Sequence, residues 1–129
     1  TRPIGDFVWH RDFDLLDGAD IVSLHAPGRR DGRALLGAIE LARLAPSAVV
    51  VNTARASLVS AEAMLDALGS GQIGVYATDV FEQEPPLPSP LLAHPNVIRT
   101  SHIGGYTEES VTRATTTAVE NLLRTLGPA

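Results

Sequence analysis

The stretch Ala48–Val80, AVVVNTARASLVSAEAMLDALGSGQIGVYATDV, decides the fold. Its ends, Ala48–Thr53 (AVVVNT) and Ile73–Val80 (IGVYATDV), are short apolar runs that do not alternate with period two. That is the pattern of strands covered on both faces. Between them Ser60 stands as a capping residue beside Glu62 in the first turn, and Ala61, Met64, Leu65 and Leu68 recur at i, i+3, i+4 and i+7. This predicts a helix, which Gly69 and Gly71 end. Parallel strands require such a crossover connection, so the unit reads as βαβ.

The same alternation extends in both directions. Asp20–His25 (DIVSLH) and Asn96–Thr100 (NVIRT) are two further apolar runs. A helix is expected around Ile39–Leu44, crowded by Gly32, Gly37 and Pro46, and a short helical stretch near Phe13–Asp17. A longer helix starts at Thr107, with Glu108 and Glu109 set against the positive end of its dipole. It carries Val111, Ala114, Ala118, Leu122 and Leu126 on one stripe. Glu84–Pro90 (EPPLPSP) can neither continue a helix nor join a central strand, and reads as an ordered surface crossing. The fold class is α/β with a parallel sheet, as one domain over residues 1–129, without internal repeat or boundary.

Composition excludes several functions. The 129 residues suffice for one core. Fifteen acidic against ten basic residues give a net charge of -5, which repels a phosphate backbone, so no nucleic acid is expected as partner. The chain has no cysteine, hence no thiolate nucleophile, disulfide or zinc-thiolate site, and no metal is expected. No apolar run reaches the roughly 18 residues of a membrane span, and Thr1–Arg11 has no signal-peptide core, so a cytoplasmic location is expected. Arg29, Arg30 and Arg33, interrupted by Asp31, read as a solvated turn, and His10 and His94 as structural or exposed.

In an open parallel sheet ligands bind at the carboxyl ends of the strands. Those ends carry His25 and Pro27, then Asn52, Thr53 and Arg55, then Asp79 and Glu84, then His102, Gly104 and Gly105. Arg55 is suited to hold a carboxylate by forked, charge-assisted hydrogen bonds. His102 is suited to give or take a proton. Glu84, on the far ring nitrogen, would fix the tautomer of His102 and favour its imidazolium form. The competing reading makes Arg55 and Glu84 a structural ion pair and His102 a satisfied turn residue.

Four segments in order, Asp20–Pro27 (DIVSLHAP), Val50–Arg55 (VVNTAR), Asp79–Pro85 (DVFEQEP) and His102–Thr107 (HIGGYT), resemble the successive motifs of the D-isomer-specific 2-hydroxyacid dehydrogenases. The resemblance covers roughly Asp14 to Leu126 and implies a partial Rossmann-type, doubly wound parallel sheet, the last four strands of a nucleotide-binding domain. It implies that Arg55 binds substrate, that His102 is the catalytic acid/base, and that Glu84 is its partner. Cofactor contacts would come from His25 and Pro27 on the adenosine side, and from Thr53, Ala54, Arg55, Asp79, His102, Ile103, Gly104 and Gly105 around the nicotinamide. The implied reaction moves a hydride between NAD or NADP and the C2 carbon of a 2-keto or 2-hydroxy acid. Glu84 argues against the formate dehydrogenase branch, which carries glutamine there.

The sequence departs from the family pattern at three places. Ala56 follows the arginine where glycine is usual, Ser101 replaces the proline before the histidine and should loosen that loop, and Arg99 occupies an apolar strand position, which suggests a wet edge. The glycine-rich turn G-x-G-x-x-G and the acidic residue that would choose between NAD and NADP do not occur, nor does a substrate domain. Assigned as the third to sixth strands of the order 3-2-1-4-5-6, the four runs would leave the first strand roughly 14 Å from its neighbours. It must then re-pair beside Ala48–Thr53, dock elsewhere, or meet strands from another chain. Open sheet edges suggest a homo-oligomer or a partner supplying the missing half. The dehydrogenase reading, with the 129 residues alone turning over little or nothing, stands beside a non-catalytic one: a folded remnant, or an interaction module resembling the family's corepressor branch.

Overall fold

The computed structural model describes residues 13–127, so Thr1–Arg11 and His10 lie outside the described residues. Four parallel strands form one sheet in chain order: β1 (Ile21–Leu24), β2 (Ala48–Asn52), β3 (Ile73–Thr78) and β4 (Val97–Arg99). The helices are α1 (Ala38–Ala42), α2 (Ala61–Gly69), α3 (Pro90–Ala93) and α4 (Glu108–Leu126), with 3-10 turns at Phe13–Leu16 and Ala56–Leu58. All four expected strands and the crossover helix are present. α3 was not foreseen. Pro90 opens it at the first helical position, where a missing amide costs nothing, and the Ser89 hydroxyl accepts from Leu92 N at 3.2 Å.

Of the three placements open to the first run, the structure shows the pairing beside Ala48–Thr53: β1 pairs directly with β2, Val22 opposite Val50 and Leu24 opposite Asn52, so there is no gap in the sheet. Two expectations need correction. Strands that neighbour one another in chain order belong to one flank of a doubly wound sheet, and the first run was assigned to the wrong side of its switch point. The strands are also not covered on both faces. Val22, Leu24, Ala48, Val50, Ile73 and Tyr76 are buried, while Ile21 is 67% and Ile98 60% exposed. Val49, Val51, Val75 and Ala77, on the same face as Ile21 and Ile98, are half-buried. In a doubly wound sheet that face is covered by helices of the other half, which explains why the sequence is apolar on both sides.

The core therefore lies on one side, where Leu36, Leu41, Leu58, Met64 and Val50 are fully enclosed. Leu36 binds the two crossovers together: its amide donates to Leu58 O at 2.9 Å, and Ser60 N donates to Leu36 O at 3.0 Å. Ser60 caps α2, its hydroxyl accepting from Ala63 N at 3.3 Å. Met64, Ala67 and Leu68 are the buried stripe, while Ala61 is exposed, so the apolar face is turned slightly from the expected one. α1 is short, as its glycines and Pro46 suggest, and the Gln72 side chain holds its end by donating to Leu41 O and Leu44 O. α4 is capped by Thr107, whose hydroxyl accepts from Ser110 N, but none of its residues is buried. The apolar stripe foreseen on it faces no partner among the described residues.

Arg29 grips Asp31 through Nε at 3.0 Å and Nη2 at 2.7 Å, the exposed turn that the charge pattern suggested. β4 is a wet edge, with Ile98 and Arg99 exposed. His94 closes α3, Nδ1 accepting from Asn96 N at 3.2 Å.

Close approach between β2 and β3 requires glycine at position 74. A Cβ there would meet the carbonyl oxygen of Ser47 at 2.6 Å, and Ser47 is itself held in the left-handed region at φ 63°. Gly74→Ala is expected to destabilise the chain by about 1–3 kcal/mol, because backbone rather than a flexible side chain must move. Thermal unfolding of the two proteins checks this; an unchanged midpoint would show that the strands separate freely there.

Candidate active site

Parallel pairing puts the carboxyl ends of all four strands on one edge, and register aligns them further. Leu24, Asn52, Thr78 and Arg99 lie in one row across the sheet, so the residues that follow them, His25, Thr53, Asp79 and Thr100, leave the sheet side by side. The site is built from the loops that begin there.

Glu84 and His102 meet. His102 Nδ1 stands 2.7 Å from Glu84 Oε1, and both side chains are partly exposed, at 47% and 42%. Glu84 Oε1 also accepts from Phe81 N at 3.4 Å, which ties it to its own loop. A carboxylate on Nδ1 selects the tautomer with hydrogen on that nitrogen and leaves Nε2 as the ring's free position. Both residues line a cavity of about 640 Å³ with Phe81, Pro86, Arg99 and Ile103. Arg99 donates from Nη1 to the Leu92 carbonyl beside it.

The histidine loop is pinned rather than loosened by Ser101. Asp79, buried at 5% exposure, accepts from the Thr100 hydroxyl at 2.5 Å and Ile103 N at 2.9 Å on Oδ1, and from Gly104 N at 2.8 Å on Oδ2. Burial alone would raise the Asp79 pKa. The hydrogen bonds from Thr100, Gly104 and Ile103, with the charge His102 can carry, outweigh it and hold the carboxyl below the usual aspartate value. A Cβ on Gly104 would come within 3.0 Å of Asp79 Oδ2, so glycine keeps the loop against the carboxylate. His102 lies between these contacts at φ 57°.

Arg55 occupies the next loop. The Ala56 that follows it opens a right-handed 3-10 turn, so the absent glycine is no obstacle. Arg55 Nη1 donates to Ala54 O at 2.6 Å; among the described residues it forms no ion pair with Glu84, and the competing structural-pair reading fails there. What shapes this loop is Asn52, fully buried, which donates to Arg55 O at 2.9 Å and accepts from Ala54 N at 3.2 Å. Asn52 stood among the strand-end polar residues but not among the expected site residues. Its only sequence signal is an amide side chain at the end of an otherwise apolar strand, which is buried only if its hydrogen bonds are met. At the end of β1, His25 Nε2 lies 2.8 Å from Ser23 Oγ, and Pro27 is exposed nearby. The structure thus joins Glu84 to His102, and Asp79 to Ile103 and Gly104. It sets Arg55, Thr53 and Ala54 on the neighbouring strand end, and His25 and Pro27 one strand further.

The chain matches the family model of the D-isomer specific 2-hydroxyacid dehydrogenase NAD binding domain over residues 9–104. It is 39% identical over 113 residues to D-3-phosphoglycerate dehydrogenase of Methanocaldococcus jannaschii, covering 88% of this chain and 22% of that protein. It is 42% identical over 113 residues to glyoxylate/hydroxypyruvate reductase B of Citrobacter koseri, covering 87% of this chain and 35% of the relative. The NAD-complexed D-isomer specific 2-hydroxyacid dehydrogenase of Lactobacillus delbrueckii superposes with a TM-score of 0.76 at 29% identity, over 91% of this chain and 40% of that one. The chain therefore spans well under half the length of each of these proteins. Among the described residues no helix is long and apolar enough to cross a membrane, and no group of three or more potential ligands could hold a metal ion.

Proposed function

The chain belongs to the NAD-binding domain family of the D-isomer-specific 2-hydroxyacid dehydrogenases, and we propose that it supplies the acid/base half of such an enzyme, acting on a small 2-keto or 2-hydroxy acid. The observation that carries this is the Glu84–His102 pair at 2.7 Å, set on the ligand-binding edge of the sheet. His102 presents Nε2 to the substrate oxygen and moves its proton, while Glu84 holds the ring through Nδ1 and stabilises the charge the ring gains. Arg55 takes the substrate carboxylate.

The residues present fit the nicotinamide end of NAD. Gly105 leaves the backbone open at the edge beside Gly104, and Thr53, Ala54, Asp79 and Ile103 flank it, with His25 and Pro27 towards the adenosine side. When bound, the cofactor supplies the hydride acceptor or donor. The amides that would receive its pyrophosphate belong to a glycine-rich turn outside these 129 residues, and the choice between NAD and NADP resides with that half. This is why the isolated chain is expected to turn over little.

The test is NADH oxidation by the complete protein carrying these residues, with glyoxylate and hydroxypyruvate, beside a fluorescence titration of NADH into the 129-residue chain. Turnover by the complete protein and its near absence in the chain alone support the proposal. A complete protein that binds NADH but reduces no 2-keto acid would overturn it and leave the non-catalytic module, which no present observation favours.

A further inference from the structure

We propose that Asp79 is a positioning residue for His102, its buried carboxylate fixing the left-handed turn that aims the imidazole at Glu84 with one nitrogen and at substrate with the other. This rests on the acid/base reading of His102 given above, and it gives Asp79 a task besides the cofactor contact that its family resemblance implies.

The three donors on the carboxylate bracket the histidine: the Thr100 hydroxyl two residues before it, the Ile103 amide directly after, and the Gly104 amide next. The two successive amides that converge on the carboxylate follow directly on the turn at His102, which stands at φ 57°. Histidine enters the left-handed region more readily than most side chains. The conformation is nevertheless strained and persists only where the surroundings over-determine it. Here they do so from both sides. Thr100 N donates to Thr78 O at 3.1 Å, anchoring the loop to β3 before the turn, and Tyr106 N donates to Ile103 O at 3.0 Å, closing it after. Asp79 itself follows the end of β3, the interior strand between β2 and β4, and is almost wholly enclosed.

Relaxing His102 to an extended backbone would turn both amides away and leave a buried carboxylate with a single donor, which is strongly unfavourable. The carboxylate and the strained turn thus stabilise one another. The consequence is directional: with the backbone at 102 fixed, Nδ1 falls 2.7 Å from Glu84, a contact between partly exposed groups that would otherwise wander. Of the roughly four acceptor positions of a carboxylate, three serve the loop. About one position remains for a cofactor amide.

The experiment uses the complete protein carrying these residues. Asp79→Asn keeps size and one acceptor but sets an amide donor against a backbone N–H. Turnover is expected to fall about 100-fold, as for a misplaced catalytic group, with KM for NADH held within about threefold. The imidazole nitrogen shifts of His102 are expected to report a single tautomer in the parent and to become averaged in Asp79→Asn. Thr100→Val, which removes one donor from the clamp, is expected to lose about tenfold, and Thr100→Ser to restore activity by supplying the hydroxyl again. A raised KM for NADH with turnover kept would make Asp79 a cofactor contact only and overturn the proposal. Should Asp79→Asn not fold, equal activity of Thr100→Val and the parent would overturn it instead. Should His102→Ala retain turnover, the acid/base reading fails, while the nitrogen shifts in Asp79→Asn still report whether Asp79 sets the ring.

Discussion

Replacing His102 by alanine in the complete enzyme should lower turnover by about 100- to 10,000-fold, the usual contribution of a positioned general acid or base. The effect should fall on kcat rather than KM, because the proton moves only on the way through the transition state. Geometry supports the size. Nδ1 is committed to Glu84 at 2.7 Å, and Nε2 has no protein partner among the described residues, which leaves it available for the proposed proton transfer. Glu84→Gln should retain the contact but remove the carboxylate charge beside the ring, giving a smaller loss than His102→Ala. Steady-state kinetics measure both. A His102→Ala enzyme whose turnover is intact would make the pair a structural contact of a loop, and the proton would have to come from water or another side chain.

Local patterns in the sequence were sufficient for the four strands and the longer helices, but not for the short α3 or for what covers the sheet. Each strand is short, apolar and followed by polar residues, and Ser60 and Thr107 announce their helices through side-chain caps. The neighbour of the first strand stayed open among three placements because hydrophobicity reports burial and not neighbours. Nothing in Asp20–His25 says that it lies beside Val50 rather than beyond a missing strand. Coverage was misread for a related reason: Ile21, Ile98 and the stripe on α4 are apolar, yet exposed in this chain. A sequence can record contacts with segments that are not in it.

The site was partly legible. The strand-end rule singled out His102, Glu84 and Arg55, because polar residues stand out against an apolar sheet, and the structure brings His102 and Glu84 into contact. Contacts made through backbone amides did not show. The grip of Asp79 on Ile103 and Gly104, and of Asn52 on Ala54 and Arg55, depends on loop conformation rather than on residue type. Ser101 suggested a loose loop because proline is the obvious stiffener, whereas a buried carboxylate two strand ends away from β1 does that work here.

Arg55→Ala should lower kcat/KM by about 30- to 150-fold, equivalent to about 2–3 kcal/mol for hydrogen bonds to a charged group, with most of the loss in KM. Its guanidinium is already oriented. Nη1 donates to Ala54 O at 2.6 Å, and the loop is fixed from below by the buried Asn52, so the side chain is held at its inner corner. The opposite edge, Nε and Nη2, has no other partner among the described residues and is the fork that matches a carboxylate. Lysine restores the charge, but its compact ammonium has no planar fork to hold Ala54 O on one edge and a carboxylate on the other, so Arg55→Lys should recover little of the loss. Measured kcat and KM for a 2-keto acid separate the roles of the two residues: His102 acts on kcat and Arg55 on KM. If Arg55→Lys matched the parent enzyme, the residue would be supplying bulk positive charge to attract an acid rather than a fork to orient it. If Arg55→Ala left KM unchanged and lowered kcat alone, Arg55 would be engaging the substrate only as the reacting oxygen gains charge.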